Sequence, residues 1–165
     1  MRDATEQAPF VIRRATIADI EAIARFQQAM ARETEQMTLD PVVLRAGIEA
    51  LFSNPALGHY WVAEADGAVV ASLMITFEWS DWRNRMVWWI QSVWVEEPWR
   101  RRGVYSALYR NVRELAEKDD GVGGIRLYVD RRNTSAQEVY RRMGMNGDHY
   151  LTFEWMKGAE GADGV

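Results

Sequence analysis

From Met86 to Val129 the chain spells strand, helix, strand, and this unit limits the fold more than any other feature. Met86 to Val95 is a run of aromatic and β-branched residues, the composition of a buried strand. Gly103 to Lys118 then switches to helical spacing, with Val104, Leu108, Val112 and Leu115 in register. Gly121-Val122-Gly123-Gly124 breaks that helix before a second strand, Ile125 to Val129. Two strands joined through a helix are parallel if they pair. Upstream, Tyr60 to Glu64 and Val69 to Trp79 flank Asp66-Gly67, a two-residue hairpin signal that makes those strands antiparallel. An α/β (α+β mixed) fold follows: a mixed, mostly antiparallel twisted sheet with one parallel strand pair and flanking helices.

The remaining segments fit the same architecture. Phe10 to Arg13 reads as a short strand, and Thr16-Ile17-Ala18-Asp19 opens a helix that turns Ile20, Ile23, Phe26 and Met30 inward. Asp40-Pro41 starts a second helix with Leu44, Ile48, Leu51 and Phe52 on one face, and Asn54-Pro55 ends it. Ser80 to Arg85 is a turn. Asn133 or Thr134 caps a helix reaching Met143, which Gly144 stops, and a last strand is expected from Tyr150 to Trp155. With 165 residues, 48% of them hydrophobic, and no linker-like stretch, one domain over residues 9–157 is expected. Residues 1–8 and 158–165 are expected to fray.

Charge and composition restrict the partners. A net charge of −4 lacks the basic excess that nucleic acid or an anionic membrane would attract, so any anion must be held locally. The chain has no cysteine, which excludes a thiol nucleophile and thiolate metal sites. His59 and His149 form no spaced ligand set, so no metal is expected. The start of the sequence has no apolar targeting core and no run long enough to span a membrane, and a cytoplasmic enzyme is the expectation.

Arg100-Arg101-Arg102-Gly103 stands between a strand end and a helix start, where backbone amides and the helix dipole favour an anion. Gly103 lets the backbone approach a ligand without a Cβ, and the arginines add local charge. A pyrophosphate suits such a place. A solvated basic helix start is the competing reading of the arginines taken alone.

The stretch from Val93 to Tyr109 resembles the acetyl-CoA-binding motif of the general N-acetyltransferase (GNAT) superfamily, whose pattern is R/Q-x-x-G-x-G/A. Arg100 and Gly103 match it, and Tyr105 takes the final small-residue position. A second stretch is similar to the family's N-x-x-A-x-x-x-Y-x-x-x-G signature through Asn133, Ala136, Tyr140 and Gly144. By element order the resemblance covers residues 10 to 156. It implies acetyl-CoA as co-substrate, with pantetheine along Val93, Trp94 and Val95 of a splayed strand and pyrophosphate at Arg100, Arg101, Arg102, Gly103, Val104 and Tyr105. It also implies that an amine attacks the thioester directly while Tyr140 protonates the departing thiolate. Tyr140 alternatively belongs to an apolar helix stripe with Ala136, Val139 and Met143, and Asn133 bonds cofactor or only caps its helix.

The acceptor amine must lose a proton, since an alkylamine of pKa about 10 is only about 0.1% neutral at pH 7. Glu78 is the candidate base or amine ligand, at the end of a strand before Trp79-Ser80-Asp81-Trp82. Gln91 cannot act as a base but can position water or substrate. Glu33 and Glu35 follow the first helix, where the resemblance places the border of the acceptor pocket, and with Trp79, Trp82, Trp88 and Trp89 they suggest an acidic, aromatic site for a cation. Helix-end charge and core tryptophan account for the same residues without a pocket. The expected activity is N-acetylation of a primary amine on a small molecule or peptide, by a monomer or a homodimer. A non-catalytic acyl-CoA sensor of the same fold is the alternative, and a nucleic-acid binder would need a wider basic face.

Overall fold

The computed structural model describes residues 9–157, which fall in two compact units, one ending at Tyr128 and the other beginning at Val129. The expectations for residues 1–8 and 158–165 lie outside the described residues. The first unit contains β1 (Val11–Arg14), α1 (Ile20–Glu35), α2 (Pro41–Ser53), β2 (His59–Ala65), β3 (Ala68–Ser80), β4 (Arg85–Val95), α3 (Val104–Lys118) and β5 (Val122–Leu127). The five strands form one sheet in the order β1-β2-β3-β4-β5, antiparallel except for the parallel β4–β5 pair. The strand–helix–strand crossover is present, but with shifted bounds: β5 starts at Val122, inside the Gly121–Gly124 stretch expected to break the chain before it, and stops at Leu127 rather than Val129.

Local chemistry explains the joints. Asp66 (φ 50°) and Gly67 (φ 76°) both take the left-handed conformation that a type I′ hairpin needs, and they join β2 to β3. The α2 N-terminus is capped by Asp40, whose Oδ1 accepts from the amides of Val42 at 2.8 Å and Val43 at 3.3 Å. Ahead of α1, Asp19 is buried and its carboxylate accepts from the Thr16 amide at 2.7 Å and from both terminal nitrogens of Arg13 at 2.8 Å. The Arg13 guanidinium holds the Asp19 carboxyl below its usual range.

Two layers close the sheet. Tyr60 and Val62 pack with Ile20, Ile23 and Ile48, so one face lies under α1 and α2. Ala63, Leu73 and Ile75 point to the other face by strand alternation and are fully buried. There α3 packs across β1, β2, β3 and β5 with Val104, Leu108 and Val112 inward. On α1, Ile20, Ile23 and Phe26 are buried as expected, whereas Met30 is half-buried and Gln27 and Ala31 take the inner positions.

The second unit contains α4 (Thr134–Arg142). The Asn133 side chain caps it, accepting from the Ala136 amide at 3.0 Å, and Gly144 (φ 85°) follows its end. Tyr150 to Trp155 is not a strand, contrary to the expectation. It has no ladder partner among the described residues, and Tyr150, Leu151, Phe153 and Trp155 are all exposed. Aromatic composition suits a pleat, but only pairing makes a strand.

Candidate functional site

The β4–β5 ladder runs from Met86 to Ile90 on one side and ends at the Ile90–Leu127 pair. Beyond it β4 continues through Val93, Trp94 and Val95, where among the described residues its ladder partners lie on β3. The separation has a local cause. Ser72 pairs with Trp94 and Met74 with Gln91, so β4 carries one extra residue there, and Ser92 has φ 51°. The buried Gln27 of α1 donates through Nε2 to the Ser92 carbonyl at 3.4 Å. An extended ligand can thus add to the free side of β4 by strand-like hydrogen bonding.

A short turn over Glu97–Trp99 leads to the arginines and to α3. Gly103 (φ 79°) is the residue before α3, and the first-turn amides of a helix have no intrahelical partners. Arg101 is also left-handed, at φ 60°. The open first-turn amides make the helix start rich in donors. Val104 is buried and anchors the helix, and Tyr105 is half-buried with its hydroxyl enclosed. The Arg102 guanidinium lies 5.4 Å from the Trp99 ring centroid.

The Arg100 side chain is already engaged. It donates to both carboxylate oxygens of Glu33, at 3.1 and 2.9 Å, and through Nε to the Val95 carbonyl at 3.0 Å. Its guanidinium stands 4.8 Å from the Trp94 ring centroid. Glu33 and Arg100, expected on the acceptor and cofactor sides respectively, are one bidentate ion pair that ties α1 to the loop. Glu35 is exposed at the end of α1. The neighbouring connection to α2 is held by Gln28, which donates to the Leu39 carbonyl at 2.8 Å and accepts from the Leu39 amide at 3.2 Å.

Register decides where the acceptor residues point. Met74 lies opposite Tyr60, so Met74, Thr76 and Glu78 share the face under α1 and α2 with their β4 partners Gln91, Trp89 and Val87. Gln91 donates to the Thr76 hydroxyl at 2.5 Å. Glu78 accepts from Trp89 Nε1 at 2.7 Å and from Arg126 Nη1 at 2.6 Å. The Tyr128 ring is 4.6 Å from that of Trp89, and Arg126 is 6.0 Å from the Trp89 ring.

The expected acidic, aromatic group is not assembled as a whole. Trp89 joins Glu78, but Trp79 projects from the opposite face and is 56% exposed, and Trp82, in the β3–β4 turn, is 90% exposed. Trp88 also points away, into a ring cluster with His59, Phe77 and Trp61. Arg126 in β5 and Tyr128 just past its end were missed by sequence reasoning, although Ile125 and Leu127 alternate with them. That alternation was the available signal. In the second unit Tyr140 is half-buried on α4, and Asn133 is its cap.

A split parallel pair, a donor-rich helix start after it and a polar strip on one sheet face thus lie along the same β4–α3 segment. The acetyltransferase (GNAT) family model matches residues 19–145. The chain is 38% identical to a possible acetyltransferase from Clostridium difficile 630, with a TM-score of 0.83 over 89% of this chain and 97% of the other. A predicted acetyltransferase from Clostridium acetobutylicum, solved with acetyl-CoA, shares the fold at 18% identity, with a TM-score of 0.70 over 88% and 96% of the chains. An aminoglycoside acetyltransferase from an uncultured soil metagenomic sample, in complex with sisomicin, does so at 17% identity and a TM-score of 0.71, over 90% and 96%. Among curated proteins no match is found. The chain belongs to the acetyltransferase (GNAT) family.

Proposed function

We propose that the protein transfers the acetyl group of acetyl-CoA to a primary amine of a small molecule or peptide. The observation that carries this reading is the end of the β4–β5 ladder at Ile90–Leu127, directly followed along β4 by the Arg100–Tyr105 loop at the start of α3. The free side of Val93 to Val95 suits the amides of pantetheine, and the first-turn amides of α3 with Arg101 and Arg102 suit a pyrophosphate. A phosphate gains Arg100 only in exchange for Glu33. The acetyl-CoA bound by the Clostridium acetobutylicum protein supports the same co-substrate here.

In the reaction a nitrogen–carbon bond forms as the carbon–sulfur bond breaks; the ammonium gives up two protons, one to a base and on to solvent before attack and one as the amide forms, and one proton reaches the thiolate. Glu78, bonded by Trp89 and Arg126, is the group that holds the amine or takes its proton, directly or through water. Tyr140, by its place in the family signature, supplies the proton to sulfur. The test is release of free CoA thiol with a panel of amines, read beside acetyl-CoA binding. Binding with release supports the enzyme. Binding without release from any amine, at millimolar acceptor, supports the acyl-CoA sensor instead.

A further inference from the structure

Glu78 does not offer an isolated negative charge to an amine. Its Oε1 accepts from Arg126 at 2.6 Å and its Oε2 from Trp89 at 2.7 Å, so the strip beside the split strands is bipolar. Arg126 pairs in register with Trp89, one residue before the ladder ends at Ile90–Leu127, and Glu78 lies opposite Val87, so the ion pair sits within three residues of the split. The pair is accessible: the Arg126 and Glu78 side chains are 32% and 40% exposed. Trp89 and Tyr128, with ring centroids 4.6 Å apart, wall it on the same face.

Charge arithmetic then restricts the ligand. A simple cationic amine drawn to Glu78 meets the guanidinium of Arg126 at nearly the same range, and the two contributions largely cancel. A molecule that carries a carboxylate close to its amino group meets both charges with the right sign. Its carboxylate takes the planar donor fork of Arg126, and its ammonium takes Glu78, so one ion pair is exchanged for two. We infer that the acceptor is such a dipolar amine, an amino acid or a close relative, and that Arg126 selects it. This rests on the acetyl-transfer reading above and names the acceptor class for the same site.

The test compares amino acids with the matching amines that lack the carboxylate, by CoA release. The parent protein is expected to show kcat/KM at least about tenfold higher for the amino acid, the usual scale of one lost charged contact. In Arg126→Gln that ratio falls to about one, chiefly through KM, and the carboxylate-free amine improves because Glu78 is no longer neutralised. A merely structural role for Arg126 would lower both substrates together. Arg126→Lys keeps the charge without the fork and is expected to lie between, which preserves a readout should Arg126→Gln fold poorly. Equal or better use of the carboxylate-free amine by the parent overturns the inference, as does an unchanged ratio in both variants. Tryptophan fluorescence separates this from failure of the transfer reading. A signal from amino acids but not from the matching amines, without CoA release, keeps the dipolar ligand and removes catalysis, whereas no signal and no release from either class removes both.

Discussion

His59 shows how one half-buried side chain sets a pH dependence. Its ring packs between Trp61, Phe77 and Trp88, with centroids 5.7 to 6.2 Å away. Burial, with a smaller contribution from Arg14, pushes its pKa down from 6.5 to about 4. The unfolded chain binds a proton near pH 6.5 and the folded one does not until about 4, so His59 contributes stability that is fully present above 6.5 and is lost as pH falls toward 4. His59→Phe keeps the aromatic packing and removes the titration. Its melting temperature is expected to fall less steeply than the parent's between pH 6.5 and 4.5, and parallel curves would remove His59 from the pH response. Asp19 acts lower, since its depressed carboxyl loses its contribution only below the usual carboxylate range. Tyr140 is a second residue-scale case. If its hydroxyl protonates the thiolate, Tyr140→Phe should lower the single-turnover rate by about 10²–10⁴-fold, with acetyl-CoA affinity and melting temperature little changed. A rate within about twofold of the parent returns Tyr140 to the packed stripe of α4.

At the scale of elements, the junction of β4 with α3 is the part most open to substitution tests. Gly103 has φ 79°, and a Cβ built there meets nothing within 4 Å, so a side chain has room but sits in a strained backbone. Gly103→Asp and Gly103→Asn differ little in size and both tolerate that conformation, at about 1 kcal/mol of stability each. Only Asp places a negative charge against the proposed pyrophosphate position. Gly103→Asp should therefore weaken acetyl-CoA binding at least about tenfold more than Gly103→Asn does, read by calorimetry, while their melting temperatures stay close. Equal affinities would move the anion elsewhere. This junction was legible in the sequence, as were the Asp66-Gly67 hairpin and the Asp40 cap, because each depends on residues adjacent in the chain. The bulge at Ser92 was not, since no residue there demands a positive φ. The neighbours of Glu78 were hidden for another reason: Trp89 and Arg126 lie 11 and 48 positions away, and only strand register brings them to one face. The same register sends Trp79 to the far side.

For the whole molecule, a ligand that binds only the folded chain stabilises it by mass action. At a free concentration one hundredfold above Kd the gain is about 2.7 kcal/mol. For a protein of this size that corresponds to a rise of about 5 to 11 °C in melting temperature. CoA and acetyl-CoA share the pyrophosphate and are expected to give similar shifts. Pantetheine, which can line Val93 to Val95 but has nothing for the start of α3, should give a much smaller one at equal concentration. In a chain of net charge −4 the proposed attraction for the anion is local, from the arginine loop and the first-turn amides of α3. Raising salt from 0.1 to 1 M shortens the screening length from about 10 to 3 Å, and the CoA shift should shrink while the pantetheine shift does not. An equal shift from pantetheine would place the binding energy on the split strand rather than the loop. No shift from acetyl-CoA at millimolar concentration would remove the co-substrate, and with it the proposed reaction.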